Sequence, residues 1–264
     1  MVRAKPHPRL RGLVRAYCGF YERSPQPVRR REVPWAGALV ILNFGPRFTV
    51  AGNQHTSFAG GLWDTPALTE YEGVSHGLEI TFTPLGARRF FGVPLDALAN
   101  RVVELEDVLP GTPQLVERLY EAADWPARFA LLDAEIEARA SQAPVAPAEV
   151  VWAWHRLSET EGRVPIGALA GEVGWSRRHF AARCREQLGM PPKTVARILR
   201  FERVVRLLGH DDGARLAEIA YDCGFSDQAH LNRDFRELAG TTPSEYVGSR
   251  LPDGFGVAFV QDER

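Results

Sequence analysis

The sequence predicts an α+β protein, with a β domain and accompanying helices over residues 1–143 and an all-α domain over residues 149–250. Three observations predict it. Short β-rich runs broken by glycine and proline fill the stretch from Leu39 to Phe82. From Glu149 to Tyr246 everything reads as helix and no strand is needed. Within that helical half two segments repeat one another, first at an offset of 50 residues and then of 51.

A chain of 264 residues is long enough for two sizeable cores. Its 45% apolar and 25% charged content is ordinary for a globular protein in water. No apolar run reaches the roughly eighteen residues a membrane span needs, so no membrane partner is expected. The start, Met1-Val-Arg-Ala-Lys-Pro-His-Pro, lacks an apolar segment and a cleavage site, which predicts no secretory signal and a cytoplasmic location. Cys18, Cys184 and Cys223 are odd in number and far apart, which predicts buried free thiols rather than a disulfide or a metal site.

Taken in order, Ala38-Leu-Val-Ile-Leu-Asn-Phe and His76-Gly-Leu-Glu-Ile-Thr-Phe-Thr-Pro read as strands. Asn43-Phe-Gly-Pro, Ala51-Gly-Asn and Phe58-Ala-Gly-Gly read as turns between short strands of a small sandwich or barrel. Near Leu85 the spacing becomes helical. Leu85–Phe91, Pro94–Asn100, Gln114–Ala122 and Pro126–Ala140 are the predicted helices. The small, proline-bearing run Ala140-Ser-Gln-Ala-Pro-Val-Ala-Pro-Ala is the linker.

The repeat sets Leu169, Ala170, Gly174, Trp175 and Ser176 against Ile219, Ala220, Gly224, Phe225 and Ser226, and then Phe180 and Gly189 against Leu231 and Gly240. Each position has a mechanical reason. The Leu-Ala or Ile-Ala pair faces the core, and the alanine is small because a second helix crosses there. The glycine permits a left-handed turn past the first helix. The aromatic residue plugs the corner, and the serine has the chemistry of a cap for the next helix. Phe180 with Cys184, and Leu231 with Phe235, then pin the second helix to the core. The product is a pair of helix-turn-helix units. A helix from Lys193 to Leu208, with a stripe of Val195, Ile198, Leu199, Val205 and Leu208, joins them. Such a rod holds two recognition helices at fixed separation, suited to successive major grooves if that separation is about 34 Å.

Net charge is −1, but Arg177 to Arg206 holds nine basic residues against Glu186 and Glu202, a local +7. A basic stripe of this kind suits double-stranded DNA. Arg177 and Arg178 directly follow Ser176, where cations oppose the helix dipole unless an outside anion or base edge compensates. Ala181 and Ala182 fill further groove-facing positions and can meet only a thymine methyl. Arg183, Arg185, Lys193 and Arg197 are expected on phosphates. In the second unit Gln228, His230 and Arg233 face the groove, beside a more ambiguous Asp227 that also suits a helix start.

The run Ile219-Ala, Gly224-Phe-Ser, Arg233, Phe235, Gly240 and Pro243-Ser-Glu-Tyr246 resembles the signature of AraC/XylS-family regulators, over about Val151 to Val247. The resemblance implies two such units that activate or repress transcription next to RNA polymerase. It places base-reading residues at Arg177, Arg178, Ala181 and Ala182, and at Gln228, Ala229, His230 and Arg233. Cys184 departs from the phenylalanine usual in the family, which should loosen the first unit's core slightly. The N-terminal half, through Val33-Pro-Trp, Leu39-Val-Ile-Leu-Asn-Phe-Gly, Phe82-Thr-Pro-Leu-Gly-Ala-Arg-Arg-Phe-Phe-Gly-Val-Pro and Arg101-Val-Val-Glu-Leu-Glu-Asp-Val-Leu, resembles the cupin-like sensor domain of many actinobacterial members. Thirty arginines against two lysines fit a GC-rich genome.

A cupin metal site usually offers two histidines one residue apart and a glutamate, whereas His55 is isolated and His76 and Glu79 fall on opposite faces of a strand. No phosphate loop, nucleophile elbow or paired-carboxylate constellation is present, so neither enzyme activity nor a cofactor is expected. A small-molecule effector, a homodimer and a polymerase-contact role are all compatible with the N-terminal half. Trp35, Trp63, Phe44, Phe48, Phe58 and Tyr71 read most simply as core, with pocket lining as the alternative.

Overall fold

The computed structural model describes residues 1–209 and 216–249 and the backbone of 257–258. Arg250, the end of the predicted second domain, lies outside the described residues. The strands are β1 (Val2–Ala4), β2 (Val14–Glu32), β3 (Ala38–Asn43), β4 (Phe48–Val50), β5 (Asn53–His55), β6 (Phe58–Gly60), β7 (Ala67–Phe82), β8 (Val102–Glu104) and β9 (Val257–Ala258). They pair antiparallel in the order β1-β2-β7-β3-β6-β8, with β4 and β5 attached along β7 and β9 along β2. Among the described residues they form one connected sheet.

The sheet has two different faces. Tyr17, Val40, Leu42, Leu78 and Ile80 are fully buried against the helices that follow. Ile41, Val50 and Phe58 form a second, smaller cluster on the opposite face, with Phe20, Leu39 and Phe48 around it. Alternation along the strands produces both faces from one set of residues. His76 and Glu79 fall on opposite faces, as the spacing of three requires. His76 packs edge-on against Tyr21 and Phe44, while Glu79 lies on the concave side.

The helices are α1 (Pro84–Phe91), α2 (Leu105–Val108), α3 (Thr112–Glu121), α4 (Trp125–Gln142), α5 (Ala148–Glu159), α6 (Ile166–Glu172), α7 (Arg177–Leu188), α8 (Pro192–Leu208), α9 (Leu216–Asp222), α10 (Gln228–Ala239) and α11 (Pro243–Gly248). The predicted helix at Pro94–Asn100 is a single 3-10 turn, Leu95–Leu98. The link between the two halves shortens to residues 143–147, because α4 runs on to Gln142.

The halves share one core. Phe82, Phe90 and Leu98 from the first belong to the same buried cluster as Phe180, Leu188 and Phe201 from the second. Gly189, at the end of α7, is buried within van der Waals reach of Leu62 and the Leu95 carbonyl. Arg15 crosses from β2 to Glu202 of α8 at 2.9 Å.

Candidate nucleic-acid interface and a cavity

The two helix-turn-helix corners are built alike. After α6, Gly174 takes φ +70°, and after α9, Gly224 takes φ +79°, conformations open to glycine at little cost. Trp175 N–H then donates to the Ala170 carbonyl at 3.0 Å, and Phe225 N–H to that of Ala220 at 2.9 Å. These bonds satisfy carbonyls that the preceding helix leaves open. Leu169 and Ala170, like Ile219 and Ala220, are buried as their mechanical role demands.

The caps differ between the copies. Ser176 Oγ accepts from the His179 N–H at 3.2 Å and caps α7. In the second copy the cap is Asp227, whose Oδ1 accepts from the His230 N–H at 2.7 Å. Ser226 is therefore not a cap, and its Oγ instead lies 3.1 Å from His230 Nδ1. One extra residue before α10 moves the cap along the chain, which is why the repeat offset grows from 50 to 51. The bond from His230 N–H, foremost, holds the Asp227 carboxyl below its ordinary range. Asp227 is thus spent on the helix start.

On the outer side of α7, Arg177, Arg178, Ala182 and Arg185 are exposed, and Ala181 is half-buried. Arg177 lies across α6, where a Cβ on Gly167 would stand 3.3 Å from its guanidinium. On α10, Gln228, Ala229 and Arg233 are exposed. His230 is half-buried, its ring edge-on to Phe225 at 5.3 Å. His179, 51 residues earlier, stands in the same relation to Trp175 at 4.7 Å. The recurrence of histidine at that offset was the available signal for His179, which the sequence reading passed over.

Ion pairing divides the basic stripe. Arg183 pairs with Glu186, and Arg203 and Arg206 both pair with Glu161. Arg200 donates to the Gly162 carbonyl at 3.2 Å and lies over the Phe225 ring. Arg197, expected on a phosphate, instead bridges α8 to α10. Its Nε is 3.2 Å from Asp234 Oδ2, and its guanidinium also meets Glu237. Arg177, Arg178, Arg185, Lys193 and Arg233 have no acidic partner among the described residues.

A cavity of about 920 Å³ opens between the sheet and α8. Trp35, Trp63, Phe48 and Tyr71 are half-buried and line it rather than forming plain core, while Phe58 lines it and is also buried in the smaller cluster. Phe44 instead faces the outer helices with His76 and Tyr120. From α8, Leu199, Glu202, Arg203, Val205 and Arg206 complete the wall. Val205, predicted for the core stripe, is only half-buried for this reason, and Phe201 and Val204 take the buried positions.

Cys18, Cys184 and Cys223 are all buried and unbridged. Burial pushes the Cys184 thiol up to about 12. His55 Nδ1 lies 3.2 Å from Glu104 Oε1. Among the described residues no three His, Cys, Asp or Glu side chains gather as a metal site would need. Nor is any helix among them long and apolar enough to cross a membrane.

Residues 169–249 match the helix-turn-helix domain family, and residues 2–104 match a domain of unknown function (DUF6597). Curated relatives include the HTH-type transcriptional activator RhaS of Escherichia coli O157:H7 (strain EC4115 / EHEC), 33% identical over 88 residues, or 33% of this chain and 31% of that protein. RhaS of Escherichia coli K12 / DH10B matches to the same extent. The match thus spans about a third of the length of these relatives, at 31%. Among solved structures, ToxT from Vibrio cholerae O395 aligns with TM-score 0.48 at 11% identity, covering 88% of this chain and 96% of that one. The DNA-binding domain of AdpA, a global transcriptional factor solved in complex with a target DNA, aligns with TM-score 0.34 at 33% identity, covering 38% and 88%.

Proposed function

We propose that the chain is an AraC/XylS-family regulator, a reading supported by the helix-turn-helix match over residues 169–249, and that the whole protein binds a promoter through α7 and α10 and controls transcription there. Each of these helices enters a major groove of double-stranded DNA, and RNA polymerase is the neighbour it acts upon. No catalytic role is assigned.

One observation carries the reading. Within the basic stripe, the cations without an acidic partner among the described residues, Arg177, Arg178, Arg185 and Lys193, lie on α7 and at the start of α8, and Arg233 on α10 matches them, while Arg183, Arg197, Arg203 and Arg206 are tied up in ion pairs. An unpaired guanidinium at a helix N-terminus is unfavourable until an anion or base edge meets it. Arg177, Arg178, Gln228 and Arg233 are the base readers, with Ala181, Ala182 and Ala229 able to make only apolar contact. Arg185 and Lys193 hold phosphates. Ser176 sets the start of α7, and His230 supports the second corner from beside Phe225. Arg197 moves from the phosphate set to a support of α10.

The cavity between sheet and α8 is the place for a small-molecule effector, because its wall includes the helix that joins both units.

Mobility-shift titrations over several salt concentrations test the reading. Lys193→Ala should weaken binding to every sequence alike and reduce the salt slope by about one unit. Arg178→Ala should cost about 1–3 kcal/mol and relax preference at one base pair. Parent-like behaviour of both variants would remove α7 from the interface.

A further inference from the structure

We infer that the ligand of the cavity between the sheet and α8 is an organic cation, a quaternary or protonated centre carried on an apolar, aromatic or branched body. The inference rests on the reading of the cavity as an effector site.

The strand register places Cys18, Glu79, Ile41 and Phe58 side by side across β2, β7, β3 and β6. Glu79 therefore sits mid-row on the concave face, between a thiol and an isoleucine. It lines the cavity and is half-buried. It has no hydrogen-bond or ion-pair partner among the described residues. Burial first, and the nearby charge of Glu32 second, raise its carboxyl to about 7. A carboxylate so placed gains greatly from an opposite charge brought to it.

The cations around the cavity do not supply that charge. Arg15 is held by Glu202 at 2.9 Å, Arg30 by Glu22 at 2.8 Å, and Arg203 and Arg206 by Glu161. Arg3 lowers the Glu79 carboxyl somewhat, but it lies on exposed β1 and is not part of the lining. The nearest other carboxyl, Glu32, accepts from Thr69 Oγ1 at 3.4 Å. An anionic guest would face Glu79 and Glu32 with every lining guanidinium already paired. A neutral guest would fill the space and leave Glu79 uncompensated. A cation satisfies Glu79, and the rings of Phe20, Phe48 and Trp63 in the lining add attraction.

The test uses the full chain and probes of nearly one shape. Calorimetric titration with tetraphenylphosphonium, tetraphenylborate and neutral triphenylphosphine oxide separates charge from size. The phosphonium should bind saturably, about tenfold or more tighter than the oxide, and the borate should bind weakest. Glu79→Gln should lose about tenfold of the phosphonium affinity and none of the oxide affinity, while Glu79→Asp keeps most of the preference. Thermal melting checks that each variant folds. If Glu79→Gln does not, the three probes on the parent chain and on Glu79→Asp decide alone. Equal or tighter binding of borate or oxide, or an unaffected Glu79→Gln, would overturn the cation while leaving the cavity an effector site. Silence from all three probes would overturn both.

Discussion

Replacing Arg197 with alanine separates two roles that a basic residue on α8 can play. As a phosphate contact it would leave stability nearly untouched and lower the salt slope of DNA binding by about one unit. The structure assigns it to α10 instead, beside Asp234 and Glu237. Glu237 is 56% exposed, so that pair adds little. Asp234 is 13% exposed and would be left in a largely dry place. A charged hydrogen bond lost there is worth about 1.5–3 kcal/mol. Two facts reduce the figure. The 3.2 Å Arg197–Asp234 contact is poorly aligned for a hydrogen bond. Asp234 also retains attraction from Arg200. The expected loss is therefore about 1–2 kcal/mol. Urea denaturation of the full chain reads it as a lower midpoint at unchanged slope. Binding to promoter DNA should weaken with the parent's salt slope retained. A loss below about 0.5 kcal/mol together with a slope lower by about one would refute the argument and return Arg197 to the phosphates.

Ser176→Ala should cost about 1 kcal/mol in the same denaturation assay, because it removes the α7 cap, whereas Ser226→Ala should cost less than about 0.5 kcal/mol. Equal costs would contradict the shifted cap. Phe235→Ala should cost about 3–5 kcal/mol, since this ring is buried between Phe201 and Tyr246, and a milder loss would mean that the site collapses around the gap. Glu79 gives a pH signature. Its carboxyl is raised in the folded state, so the native protein loses stability as pH rises from about 4.5 to about 7. Glu79→Gln should thus melt like the parent at pH 5 and above it at pH 8, by up to about 3 kcal/mol; equal melting at both pH values would argue against a raised carboxyl.

What the sequence made legible is local. Gly174, Trp175 and Ser176 each perform a task set by their own backbone neighbours, so the corner could be read from spacing and then seen again near Gly224. Partners far apart in the chain were not legible. Arg197 and Asp234 meet across two helices, and nothing in the composition of α8 distinguishes a paired arginine from an open one. Strand β2, the longest, was missed because Pro25, Pro27 and the arginines at 29–31 look like a turn and a charged loop. They are tolerated because the ladder with β7 is interrupted between Ser24 and Val28. The cavity was misjudged for a different reason. Leu39 and Ile41 are as apolar as Val40 and Leu42, and alternation cannot say which face meets packed helices and which meets open space.

The continuity of the buried cluster from Leu10 to Tyr246 has a consequence for handling the molecule. Scission at residues 143–147 would not release two self-sufficient pieces, because Met190, Leu62 and Leu95 would each lose neighbours across the cut. Heat should accordingly melt the intact polypeptide in one endotherm rather than two. A promoter-reading fragment prepared alone would carry a raw oily flank to water, and its thirst for a substitute cover would be an artefact of the knife.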